Sequence, residues 1–114
     1  HAALIALMRD AQRTGLRVRS NRLAPVMTES FDLAAMARIA VGPPWTGFAP
    51  LEQAALTEAF ARWSITTYAA RIYLTGTISE LASRRAEFTV LIREGGAARV
   101  IQELQARTAR LLPG

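Results

Sequence analysis

The sequence predicts an all-α protein of about five or six helices. Three observations carry that prediction. Apolar residues recur at three- and four-residue intervals nearly throughout, the spacing that gathers them on one helical face. Alanine, which loses no side-chain entropy in a helix, makes up about a fifth of the chain. Glycine and proline cluster at Gly15, Gly42-Pro43-Pro44 and Gly95-Gly96, which cuts the chain into helix-length pieces.

Taken in order, Leu4, Leu7, Met8 and Ala11 mark a first helical face that Gly15 ends. Residues 21–28 suggest a short second helix around Pro25, with the proline in its first turn, where a missing N–H is harmless. Asp32 offers a carboxylate to the free amides of a helix start. Leu33, Met36, Ala37 and Ile39 then line a short amphipathic helix, stopped by Gly42-Pro43-Pro44. A loop through Trp45, Gly47 and Phe48 leads to Pro50, with Trp45 pinning the loop. From Leu51, the series Leu56, Ala59, Phe60, Trp63, Thr67 and Ala70 predicts a helix of about five or six turns.

Thr77-Ile78-Ser79-Glu80 has the hydroxyl and the glutamate three residues on that make a capping box. Ile78, Leu81, Ala82, Phe88, Leu91 and Ile92 follow on one face until Gly95-Gly96 ends the helix. A last helix carries Val100, Ile101, Leu104 and Leu111. Only Ile72-Tyr73-Leu74-Thr75 departs from this scheme, with high strand propensity and no strand elsewhere to pair with. It reads equally as the end of the long helix and a linker. The organisation expected is one helical domain over residues 1–114, in which an N-terminal helical region spans 1–72 and a C-terminal helix pair spans 73–114.

Composition excludes more than it selects. With 114 residues and 51% apolar side chains, the chain has the length and the apolar content for one packed core. It has no cysteine, and its single histidine is His1. Disulfides, thiolate or histidine metal sites and a Ser-His-Asp relay therefore have nothing to be built from. No cofactor, metal or catalytic residue is expected, and the chain is not expected to be an enzyme. Asp32 and Glu80 stand at helix starts, which gives each carboxylate a structural task. No apolar run reaches the ~18–20 residues that span a bilayer. The opening residues lack a signal-peptide pattern, which fits either a cytosolic protein or a mature, trimmed one.

All fourteen basic residues are arginine, and the net charge is +5. Glu58 and Arg62, Glu80 and Arg84, and Glu103 and Arg107 are acid-first pairs four apart, the favourable order on an exposed helix. Residues 39–94 balance five arginines against five glutamates. The excess gathers instead at Arg9, Arg13, Arg17, Arg19 and Arg22, which face only Asp10 among residues 9–22. This stretch is either a solvated, solubilising face or a contact surface for anionic headgroups or an acidic membrane complex.

Several blocks are recognisable in order. Phe31-Asp32-Leu33-Ala34-Ala35-Met36-Ala37-Arg38 and Val41-Gly42-Pro43-Pro44-Trp45 resemble the FD-x-x-x-M-A-R and G-x-x-W block of the MlaC and toluene-tolerance family. Leu51-Glu52-Gln53, Phe60 and Thr67-Tyr68-Ala69 resemble its "EQ … F … TYA" helix. Leu74-Thr75-Gly76-Thr77-Ile78-Ser79-Glu80-Leu81, with Arg85, Glu87 and Phe88, is similar to the end of the hopanoid-associated, HpnM-like branch. The resemblance implies a non-enzymatic periplasmic lipid carrier whose apolar cavity lies between helices and a curved sheet, an α+β fold. It implies a phospholipid or hopanoid-like lipid as ligand, and inner- and outer-membrane complexes of an ABC-type lipid transport system as partners. A monomer is expected, and no nucleic-acid partner.

The chain departs from that pattern at one place. The family sets several strands between the long helix and the Leu74 segment, whereas here Arg71 runs almost directly into Leu74. Three explanations are open: an internal deletion, a sequence assembled from separate segments, or an all-helical member. The strand-like residues Ile72 to Thr75 favour the first two, as the remnant of a last strand.

Under the resemblance, the candidate cavity-lining residues are Met27, Phe31, Met36, Ile39, Leu56, Phe60, Trp63, Tyr68, Phe88 and Leu91. Spacing alone reads the same residues as ordinary core. Methionine adapts to irregular acyl chains, and each buried methylene contributes roughly 0.8 kcal/mol, so a lipid carrier needs no conspicuous polar motif. The alternative function is a small basic helical module that binds nucleic acid or another protein. Arginines at 9–22 would then meet phosphates, although no well-patterned recognition helix accompanies them.

Overall fold

Backbone caps and breakers set the element boundaries, and the computed structural model describes residues 2–3, 15–71 and 78–112. Among the described residues the architecture is all-α, with no strand. The elements are α1 (Leu16–Ser30), α2 (Leu33–Val41), a 3-10 turn (Pro43–Gly47), α3 (Pro50–Arg71) and α4 (Ile78–Leu111). The expected first helical face at Leu4 to Ala11, the strand-like Ile72 to Thr75 and the capping hydroxyl of Thr77 lie outside the described residues.

α1 corrects the sequence expectation. It starts at Leu16, directly after Gly15, and runs through Pro25 in its interior. Pro25 is exposed, so the carbonyl it leaves without an amide donor faces water. Leu23 and Met27 on the opposite side are buried against α3 together with Ser20. That burial outweighs the break that proline causes in an isolated helix.

α2 begins as predicted, with the Asp32 carboxylate accepting the Ala35 amide at 3.0 Å. It ends at Gly42, whose φ of 82° and ψ of −152° define a region open almost only to glycine. Pro43 to Gly47 then turn, and Trp45 is pinned: its amide donates to Gly42 O, and its carbonyl accepts from Gln53 Nε2 at 2.8 Å. α3 opens on Pro50, where no amide is needed. Glu52 accepts the Ala49 amide at 2.9 Å, the returning half of a capping box.

α3 is the axis of the molecule, buried on two sides. Leu56, Ala59 and Phe60 join the larger apolar cluster with Ala37, Ala40 and Val41 of α2 and Leu81, Phe88, Leu91, Ala97, Val100 and Leu104 of α4. Further along α3, Ile65, Tyr68 and Ala69 form a second cluster with Leu23 and Met27 of α1 and Leu33 of α2. The sequence pattern exposes only the first face, because a helix covered on both sides loses its amphipathic signature.

α4 breaks where the paired glycines predict. Gly96 has φ 65° and ψ −154°, again a conformation reserved for glycine. The chain therefore folds into two arms, 78–94 and 97–111. Glu87 and Arg107 form an ion pair, although twenty residues along a straight helix would separate them by about 30 Å. The arms thus lie side by side, with Phe88 and Leu104 fully buried between them and α3.

Candidate functional site

The ten apolar residues predicted to line a cavity divide between the two clusters. Leu56, Phe60, Phe88 and Leu91 are buried in the larger one, with Met36, Ile39 and Trp63 half-buried against it. Met27 and Tyr68 are buried in the smaller one, where Phe31 packs at the edge. Met36 touches both clusters and links them. Within each cluster these side chains pack against one another, so the described interior is apolar. Trp63 also lines a surface groove.

Trp63 is the centre of a second constellation. Its ring meets Phe60 edge-on, with centroids 6.0 Å apart. Arg84 and Arg107 set their guanidinia over the same indole at 5.3 and 5.5 Å, a cation–π arrangement. Arg107 also pairs with Glu87 and, at 3.3 Å, with Glu103, while Arg84 reaches Glu87 at 3.5 Å. The predicted Glu103 and Arg107 pair is thus formed, while the Glu80 side chain of the predicted Glu80 and Arg84 pair lies outside the described residues. Burial, and then repulsion from Arg84 and Arg110, push the Arg107 pKa down from its ordinary value. Among the described residues Glu58 and Arg62 close no ion pair, and both line a cleft instead.

Polar and basic groups converge along α3. A cleft of about 490 Å³ is lined by Arg17, Glu58, Arg62, Gln105, Thr108 and several small side chains. Arg17, Arg62 and Leu112 also border a smaller cavity of about 90 Å³, completed by Ser20, Asn21, Ala24, Ile65 and Thr66. Ser20 is buried, and its hydroxyl has no hydrogen-bond partner. Leaving a buried hydroxyl unsatisfied costs about 1–3 kcal/mol. On the other side of α4, a groove of about 370 Å³ runs between Trp63, Thr67, Ala70, Arg107, Arg110 and Leu111.

The basic stretch of residues 9–22 is therefore not a uniform face. Arg9 and Arg13 lie outside the described residues. Arg17 is exposed at the clefts. Arg19 turns inward, its Nε donating to Ala69 O at 3.3 Å and tying α1 to the end of α3. Arg22 is exposed. Sequence reasoning missed the meeting of Arg17, Ser20 and Arg62, because no local spacing links positions on two different helices. It also assigned Arg62 to a pair on its own helix.

Among the described residues, no group of three histidine, cysteine or carboxylate side chains gathers for a metal ion. No described helix is long and apolar enough to cross a membrane. Compared with known proteins, residues 1–76 match the MlaC protein family. That span takes in α1, α2, the 3-10 turn and α3. No curated protein and no solved structure matches the chain.

Proposed function

The chain belongs to the MlaC family, and from that premise we propose that it is a noncatalytic lipid carrier of the periplasm. Family membership supports lipid binding and transport in general. The finer reading is a soluble shuttle for a phospholipid or hopanoid-like lipid, acting as a monomer between inner- and outer-membrane complexes of an ABC-type transport system. Within the family we assign it to the hopanoid-associated, HpnM-like branch, on the Leu74 to Leu81 segment with Arg85, Glu87 and Phe88.

The observation that carries this proposal is the family match over residues 1–76. Its physical counterpart is the apolar interior around Phe60 and Phe88, where Met27 and Met36 supply adaptable side chains. Among the described residues these side chains pack together in two clusters that helices alone enclose. We therefore also propose that a strand segment belongs between Arg71 and Leu74 and supplies the other wall of an acyl-chain cavity, with the ten apolar residues as the helical wall.

Two measurements test this. Organic extraction of the purified protein followed by lipid mass spectrometry should release a bound lipid from the uninterrupted gene product. A lipid-free extract from that product would overturn the carrier reading. Intact mass and the coding sequence across Arg71 to Leu74 decide the strand segment separately. A continuous junction with no further residues would remove it.

A further inference from the structure

We infer that Arg17, Arg62 and Ser20 form a binding site for a single phosphate-class oxyanion at the junction of α1 and α3. Three independent observations meet there. Arg17 and Arg62 come from different helices and border the same cavity of about 90 Å³. Among the described residues neither has a carboxylate within ion-pair distance, although Glu58 lines the adjoining cleft beside them. Ser20, more than nine-tenths buried, is one of the residues bordering the cavity, and its hydroxyl has no partner.

The chemistry of these groups selects the ligand. Guanidinium forks match the oxygens of phosphates and carboxylates, and they remain charged. A serine hydroxyl and the Asn21 amide, also on the cavity wall, add neutral donors. A cavity of about 90 Å³ has room for one tetrahedral oxyanion between the two guanidinia. Ala24, Ile65 and Leu112 complete the wall. An oxyanion would also supply the partner that the buried Ser20 hydroxyl lacks. The oxyanion follows from the geometry alone. Its assignment to a lipid headgroup, rather than to free phosphate, rests on the proposed carrier role.

The full chain should be titrated with inorganic phosphate at low ionic strength by calorimetry, with the melting temperature followed in parallel. Arg62→Gln should weaken phosphate at least tenfold and Ser20→Ala at least threefold. Arg62→Lys, which keeps the charge, should recover some of the loss if the glutamine variant folds poorly. Arg93→Gln, a charge removed from an exposed position on α4, should change affinity less than twofold. No phosphate binding by the unmodified chain, or an equal loss in Arg62→Gln and Arg93→Gln, would overturn the site.

A second arm uses vesicles of phosphatidylglycerol against phosphatidylcholine. Vesicle binding that falls with Arg62→Gln in step with phosphate assigns the site to a headgroup. Phosphate loss with unchanged vesicle binding overturns that assignment and leaves a site for the free ion. A lipid found by extraction from a chain indifferent to phosphate would sink the site while the carrier reading stands.

Discussion

Single residues carry much of the architecture through backbone chemistry. Gly42 is required by its φ of 82°, a conformation other residues rarely adopt, and an added Cβ would stand 2.6 Å from Arg85 Nε, so that side chain would have to shift. Arg85 donates to Ile39 O at 3.0 Å, satisfying a carbonyl at the end of α2, where a cation also suits the helix dipole. Gly42→Ala should therefore destabilise the protein by about 1–3 kcal/mol, read as a lower denaturation midpoint with unchanged slope. Asp32→Ala should cost about 1 kcal/mol through loss of the α2 cap, by the same measurement. The cap at Asp32 and the glycine at the end of α2 are legible in the sequence, because each acts on amides or torsions within a few residues. The contact between Gly42 and Arg85 is not. It joins two positions that only the packing of α4 on α2 brings together.

Elements show where local reading stops. The break in α4 is visible as Gly95-Gly96, but the pairing of its arms is not, since Glu87 and Arg107 meet only once the chain has turned. A Cβ added at Gly96 would meet no atom within 4 Å, so Gly96→Ala tests torsion alone. It should destabilise by about 1–3 kcal/mol and separate the arms, which spin labels at exposed positions 90 and 105 would report as a longer distance. Pro25 misled for the opposite reason. A helix boundary drawn from proline ignores the apolar contacts of Leu23 and Met27, which appear only against α3. The second buried face of α3 hid in the same way, since Ile65, Tyr68 and Ala69 break the single-stripe pattern that Leu56 and Phe60 set up. Leu56→Ala should cost about 2–5 kcal/mol in chemical denaturation. Leu51→Ala, five residues earlier and 85% exposed, should stay within about 0.5 kcal/mol.

At the scale of the whole molecule, the fold class was readable from periodicity and composition, and the family from ordered motifs. The candidate basic site was only partly readable, because Arg17 is conspicuous while Arg62 and Ser20 gain meaning from their shared cavity. The network of Glu87, Glu103, Arg84 and Arg107 around Trp63 closes the arms of α4 over the interior. Glu87→Gln should lower stability by about 1 kcal/mol at low salt and by less in 1 M salt, which paired denaturation curves would reveal. A broader consequence follows from α3 standing between two separate apolar clusters. α1 covers only one of its sides, and the hairpin of α4 the other. The two coverings can be lost one at a time, so amide hydrogen exchange should report two cooperative units with different opening free energies. The amides of α1 should exchange as a group ahead of those flanking Phe60, Phe88 and Leu104, giving the molecule a partly open state that keeps its larger core intact.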